Sequence, residues 1–257
     1  MKKIVFIAAL VSIFNFQFSI CQAQFGDYGV KAGLGIATID DDLGTKSPIL
    51  GASVGAYINY TFLQSKSVLA ETFFLQTGLN LNRRGSTFQQ VFEKGTDMSI
   101  RKGFYHAYYL QLPILACVHY ELPIRQSGHV IGLFLGPAFS YGLFGRYGDR
   151  MIHPGSPDIN TNYDVEIYGT DEERQLFNHI ERFDISAMVG ITYEYKRFTA
   201  SFYIDRGFLA VSEDIDLLRM IENPQGNVEK IPNGNNKAYM FSISYSLGSF
   251  IKERSER

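Results

Sequence analysis

The chain contains no tryptophan and only two cysteines, Cys21 and Cys117. Cys21 falls inside an N-terminal leader, so Cys117 is left without an intramolecular partner and no disulfide framework supports the fold. Long apolar runs are missing as well. The longest beyond the leader, Val130 to Gly145, is interrupted by Gly132, Gly136, Pro137, Ser140 and Gly142 and falls short of the roughly 20 residues that a membrane helix needs. A surplus of positive charge is also absent, with 24 Lys and Arg against 26 Asp and Glu. Without Lys2 and Lys3 the balance is 22 against 26, a net charge of −4, which excludes a basic surface for nucleic acid. No Pro- or Ser-rich linker divides the chain, so one domain is expected.

The leader itself has a clear design. Lys2 and Lys3 precede an apolar core from Ile4 to Phe14, and Cys21-Gln22-Ala23 offers small residues at the two positions a signal peptidase reads. Residues 1–23 are therefore expected to be a signal peptide, with residues 24–257 forming the mature domain. A lipoprotein reading with Cys21 acylated is disfavoured by Ile20, where a small residue is wanted.

What fills the mature chain is alternation. Eight segments switch between apolar and polar or small residues: Tyr28 to Thr38, Ile49 to Phe62, Leu69 to Arg83, Phe104 to Tyr120, His129 to Gly145, Arg182 to Tyr195, Phe198 to Phe208 and Lys237 to Gly248. Side chains on a strand point alternately to opposite faces, so each segment has one apolar face. In the fifth, Ile131, Leu133, Leu135, Pro137, Phe139, Tyr141 and Leu143 share one face, and Gly132, Gly136, Ala138, Ser140 and Gly142 the other. The connections Leu63 to Val68, Glu121 to Gly128 and Lys196-Arg197 are short. Those spanning Ile39 to Pro48, Arg84 to Gly103, Arg146 to Glu181 and Leu209 to Asn236 are long. Lipid cannot hydrogen-bond a peptide group, so a spanning sheet must close without an edge, and bacterial barrels cross an even number of times. The pattern predicts an all-β, eight-stranded antiparallel up-and-down transmembrane barrel with short periplasmic turns and long outer loops.

A soluble sheet alternates too, with its apolar face turned into a core. The glycines and hydroxyls argue against it, because they fill a soluble core poorly but suit the narrow inside of an eight-stranded barrel. Aromatic residues also gather near segment ends, at Tyr60, Phe62, Tyr120, Tyr193, Tyr195 and Tyr245 on one side and Phe104, Tyr141, Phe144, Phe208 and Tyr239 on the other. Such girdles mark membrane interfaces. Alternation then places Lys31, Gln76, Asn80, Gln111, Arg182, Asp184, Glu194 and Asp205 inside. So narrow a lumen is filled by side chains, and these groups are expected to pair as a structural polar network rather than line a channel. A proton or ion path is the functional alternative.

Little in the chain resembles catalytic machinery. His129 and Ser140 differ in strand parity and stand eleven residues apart, about 35 Å along an extended strand. His106 and His119 point to opposite faces, and His153 and His179 sit in an outer loop. No two-His metal spacing occurs, and Gly33-x-Gly35 precedes no helix. No catalytic, cofactor-binding or metal residue is expected, and no cofactor. In the outer loops, Thr170 to Glu173 has the capping-box pattern, so Asp171 to Glu181 is a candidate short amphipathic helix, and Ser212 to Glu222 a second. The run Asp40-Asp41-Asp42 is a solvated loop tip or, less readily, a divalent-cation site.

Several stretches resemble a known family. These are Gly29-Val30-Lys31-Ala32-Gly33-Leu34, Leu75-Gln76-Thr77-Gly78-Leu79-Asn80 running into Arg83-Arg84-Gly85, Tyr109-Leu110-Gln111-Leu112-Pro113-Ile114, and Arg182-Phe183-Asp184-Ile185 with Gly190 to Tyr195. They resemble the PorT-like outer-membrane β-barrel proteins of Bacteroidetes-type bacteria. At the position of Gln111 members of that family often carry Glu. The resemblance implies an eight-stranded barrel in the outer membrane. The name-giving member is associated with protein secretion, but a shared fold does not carry function. The expected role is non-enzymatic: structural or adhesive presentation of the outer loops, or an accessory subunit of an envelope complex. Expected partners are outer-membrane lipids, lipopolysaccharide among them, and an envelope protein. The rivals are a lipid-modifying or proteolytic barrel enzyme and a small transport pore.

Overall fold

The computed structural model of the chain describes residues 24–40, 46–61, 73–94, 97–122, 128–154, 161–168, 182–210 and 234–249. Among them all regular structure is strand: β1 (Gln24–Asp40), β2 (Lys46–Thr61), β3 (Phe73–Lys94), β4 (Asp97–Glu121), β5 (His129–Ile152), β6 (Thr161–Glu166), β7 (Phe183–Tyr195), β8 (Phe198–Ala210) and β9 (Asn235–Ser249). Each pairs antiparallel with its neighbours in the order β1–β2–β3–β4–β5–β7–β8–β9, and β9 pairs back onto β1. Eight strands thus form a closed ring, in which no backbone edge is left unpaired. β6 stands outside it, hydrogen-bonded to the end of β5 from Arg146 to Met151.

Burial is inverted relative to a soluble protein. Leu34, Leu50, Leu133 and Leu135 are 59–62 % exposed, whereas Asn80, Gln111 and Ser140 are each 1 % exposed. A water-soluble chain rarely shows a continuous apolar band on its outside, and a strand in lipid requires one. Tyr120, Tyr193, Tyr195 and Phe198 stand exposed near the end that carries the short turns, and Tyr141, Phe144, Phe208 and Tyr239 near the other. These two ends are called here the turn end and the loop end. At the turn end Lys196 takes φ 57° in the two-residue connection between β7 and β8.

The strands run farther than hydropathy predicts. The expected loop Arg84 to Gly103 is a hairpin paired up to Lys94 and Asp97, and within Arg146 to Glu181 β5 continues to Ile152 and β6 is added. Beyond the membrane neither face must be apolar, so alternation in hydropathy ends although hydrogen bonding continues. The faces also do not alternate without a break. Opposite Tyr108 and Tyr109 the partners are Phe144 and Gly142, so Leu143 is an extra residue. Leu143 and Phe144 both face outward, and past this bulge the phase of β5 is reversed. The candidate leader, the two candidate loop helices, Asp41 and Asp42, and the tail from Ile251 to Arg257 lie outside the described residues.

Candidate functional site: the filled lumen

Inward-facing residues form four successive levels. At the turn end a cavity open to solvent is lined by Asp27, Lys31, Gln76, His119 and Glu194 among others. Gln76 Nε2 donates to Asn59 Oδ1 at 3.0 Å, and His119 Nδ1 lies 3.8 Å from Glu194 with its ring edge-on to Phe74. Gly132 keeps this space open, because a Cβ there would run into His119 and Thr192. Lys31, Gln76 and Glu194 thus share one level.

The next level is apolar. Leu115, Phe134, Met188, Tyr203 and Met240, with Cys117 and alanines 37, 138 and 238, form one buried cluster across the inside of the ring. The interior is therefore not polar throughout. Inward positions of β4, β5, β7 and β9 at mid-height carry large apolar side chains, which exclude water from the centre and pack there as in a soluble core. The Cys117 thiol is buried within this layer and points to the Leu115 carbonyl at 3.7 Å.

Above it lies a charged level built around Arg84, which is 3 % exposed. Its guanidinium pairs with Asp184 at 3.3 Å and, in closer contact, with Asp205, joining β3 to β7 and β8 across the lumen. Gln111 Nε2 donates to Asp205 at 2.9 Å, Asn82 Nδ2 to Gln111 Oε1 at 2.6 Å, and Asn236 Nδ2 to Asp184 at 3.1 Å. Five of the eight ring strands contribute: β3, β4, β7, β8 and β9. The Arg84 charge is thus compensated by two carboxylates whose Oδ2 atoms each accept a further donor, while both Oδ1 atoms are buried without a hydrogen-bond partner among the described residues.

The uppermost level is a tyrosine cap. Arg84 stacks 5.5 Å over the Tyr109 ring. The Tyr109 hydroxyl meets that of Tyr105 at 2.7 Å and receives a bond from Tyr168 at 3.2 Å. Burial, reinforced by Tyr109, holds the Tyr168 hydroxyl protonated far above the usual phenol range. Tyr147, Phe88 and Ile39 complete the cluster, and Arg101 lies over the Phe88 ring. Arg182 belongs to this cap and not beside Asp184: it donates to the Tyr168 carbonyl at 2.6 Å and stacks over the Tyr168 and Tyr141 rings.

The sequence reading missed Arg84, Asn82 and Asn236. The loop expected from Arg84 to Gly103 takes in Arg84, although it continues the inward phase of Gln76, Asn80 and Asn82 and lies within reach of the alternation argument. The structure separates three of the histidines: His129 Nδ1 bonds the Tyr193 hydroxyl at 2.7 Å, His119 faces Glu194, and His106 is on the outward face beside Phe104. Among the described residues no group of three or more His, Cys, Asp or Glu could hold a metal ion.

The family model described as "Outer membrane protein beta-barrel domain" matches residues 22–212. The chain belongs to this family. It is an outer-membrane β-barrel protein, and the closed ring and inverted burial are the physical form of that membership. No curated protein matches it. Solved structures similar to it include Ail, the attachment invasion locus protein of Yersinia pestis, at 9 % identity and a TM-score of 0.36, covering 86 % of this chain and 99 % of that one. The same protein in complex with the heparin analogue sucrose octasulfate matches at 10 % identity, with the same TM-score and coverage.

Proposed function

We propose that this outer-membrane barrel is non-enzymatic and closed, a scaffold that holds its loop-end strands and loops outside the cell, either as an adhesive or structural surface or as an accessory subunit of an envelope complex. The observation that supports it most is the position of Arg84 between Asp184 and Asp205, directly above the apolar layer of Leu115, Phe134, Met188 and Met240. Among the described residues the two levels interrupt the polar route through the ring, and on this reading the cavity around Lys31 and Glu194 is a vestibule on the periplasmic side. Planar-bilayer recording of the folded chain is expected to show no steady conductance. A sustained ohmic conductance under an applied potential would overturn the closed-lumen reading.

Within its family we place the chain with the PorT-like proteins, on the stretches Leu75 to Asn80, Tyr109 to Ile114, Arg182 to Ile185 and Gly190 to Tyr195, with Gln111 a departure from the Glu those proteins often carry. The short turns then face the periplasm. On this reading the leader is removed on export, and the mature protein isolated from membranes is expected to begin at Gln24. Intact-mass measurement checks this, and a mass corresponding to an acylated Cys21 would replace it with the lipoprotein reading.

A further inference from the structure

The cations on the outside of the loop end take no part in the lumen. Reversal of phase at the Leu143 bulge turns Arg146 and Arg150 outward on β5, where simple alternation would have turned them in. Register then sets His106 opposite Arg146 and Lys102 opposite Arg150. Lys102 and Arg150 are like-charged neighbours directly across the ladder and repel, and His106 beside Arg146 adds ring nitrogens to the same face. Arg83 on β3 adjoins them, one row below and diagonal to His106. Arg83 Nε and His106 Nδ1 are both buried without a hydrogen-bond partner among the described residues. Acidic residues pair in register on the edge strand β6, Asp164 with Gly148 and Glu166 with Arg146. The outward positions of β3, β4 and β5 in these rows carry none.

Charge alone would suit any anion, but this patch is continuous with a lipid-facing surface. Immediately below it Tyr108 stacks on Phe144 at 4.6 Å between ring centres, and Phe144 and Leu110 are 54 % and 40 % exposed. A ligand satisfying both parts has hydrocarbon that lies along Leu110 and Phe144 and a phosphate that rises to the cations. Arg is well suited to the phosphate, since its planar fork binds two oxygens at once.

We propose that Arg83, Lys102, His106, Arg146 and Arg150 form a binding face for the phosphate groups of glycolipid in the outer leaflet. This rests on the outer-membrane placement and deepens it by naming the lipid chemistry and the side of the barrel. The full chain, folded in detergent, is titrated with bisphosphorylated lipid A and with phosphatase-treated lipid A, and bound lipid is counted by native mass spectrometry. Removing three cations at about a factor of five each, the variant K102Q/R146Q/R150Q is expected to bind the bisphosphorylated lipid on the order of 100-fold more weakly than the parent chain. The parent chain is expected to lose affinity comparably when the lipid is dephosphorylated. Equal binding by parent and variant, or indifference to dephosphorylation, overturns the proposal. Displacement of the lipid by millimolar inorganic phosphate overturns the lipid as source. Should the triple variant not fold, shown by loss of the mobility difference between unboiled and boiled samples, the dephosphorylated lipid decides alone. Lumen conductance is unaffected by any of these substitutions, so failure here is distinguishable from failure of the closed-barrel reading.

Discussion

Replacement of Arg84 by Met is expected to destabilise the folded barrel by about 3–5 kcal/mol, read as a lower midpoint of urea unfolding in detergent micelles. The effect is large because the arginine is almost completely buried and its removal strands two carboxylates, Asp184 and Asp205, in the same water-poor level. The donors from Asn236 and Gln111 remain, but neither supplies charge. If the penalty comes from those uncompensated carboxylates, the triple variant R84M/D184N/D205N recovers most of it, since replacing a buried ion pair as a whole is often neutral. A single variant that unfolds within about 0.5 kcal/mol of the parent, the range of an inconsequential surface change, would show that the lumen is hydrated and that the charges are screened there.

Where the physics of the membrane acted on every second residue, the sequence was readable. The outward row of β5 from Ile131 to Leu143 and the inward placement of Gln76, Asn80, Gln111, Asp184, Glu194 and Asp205 follow from a period of two and from the exclusion of polar groups by lipid. The limits of that argument are the limits of the bilayer. From Ser86 to Lys94 and from Asp97 to Gly103 the strands continue into water, where hydrogen bonding no longer imposes a hydropathy pattern, so the pairing of these residues is invisible in the sequence, whereas Arg84, still in phase with Gln76 and Asn80, is not. A bulge leaves no mark of its own either. Only the adjacent outward side chains of Leu143 and Phe144 show that the phase has slipped, and everything beyond it on β5, Arg146 and Arg150 included, changes face with it. The apolar mid-lumen layer was obscured for another reason. Leu115, Phe134, Met188 and Met240 are apolar residues on the face expected to be polar, and a count by face treats them as noise, whereas in space they meet.

Substitution of Leu135 by Arg is expected to cost about 2–4 kcal/mol, while the same change at Leu143 costs about 0–1. Both leucines are exposed on the outward face of β5, at 59 % and 39 %, so a protein in water would accept either change within about 0.5 kcal/mol. Lipid makes them unequal. The outward apolar row of β5 runs from Ile131 to Leu143 with Pro137 at its middle. At about 3.3 Å per residue and a tilt near 45°, Leu135 lies roughly 5 Å from the membrane midplane and Leu143 roughly 14 Å. An arginine at the first position must draw water or headgroups inward, whereas at the second its long side chain reaches the interface directly. Reversible unfolding into urea from lipid vesicles measures the difference. A cost that is the same at both sites, and small, would mean that the leucine face of this barrel does not meet hydrocarbon.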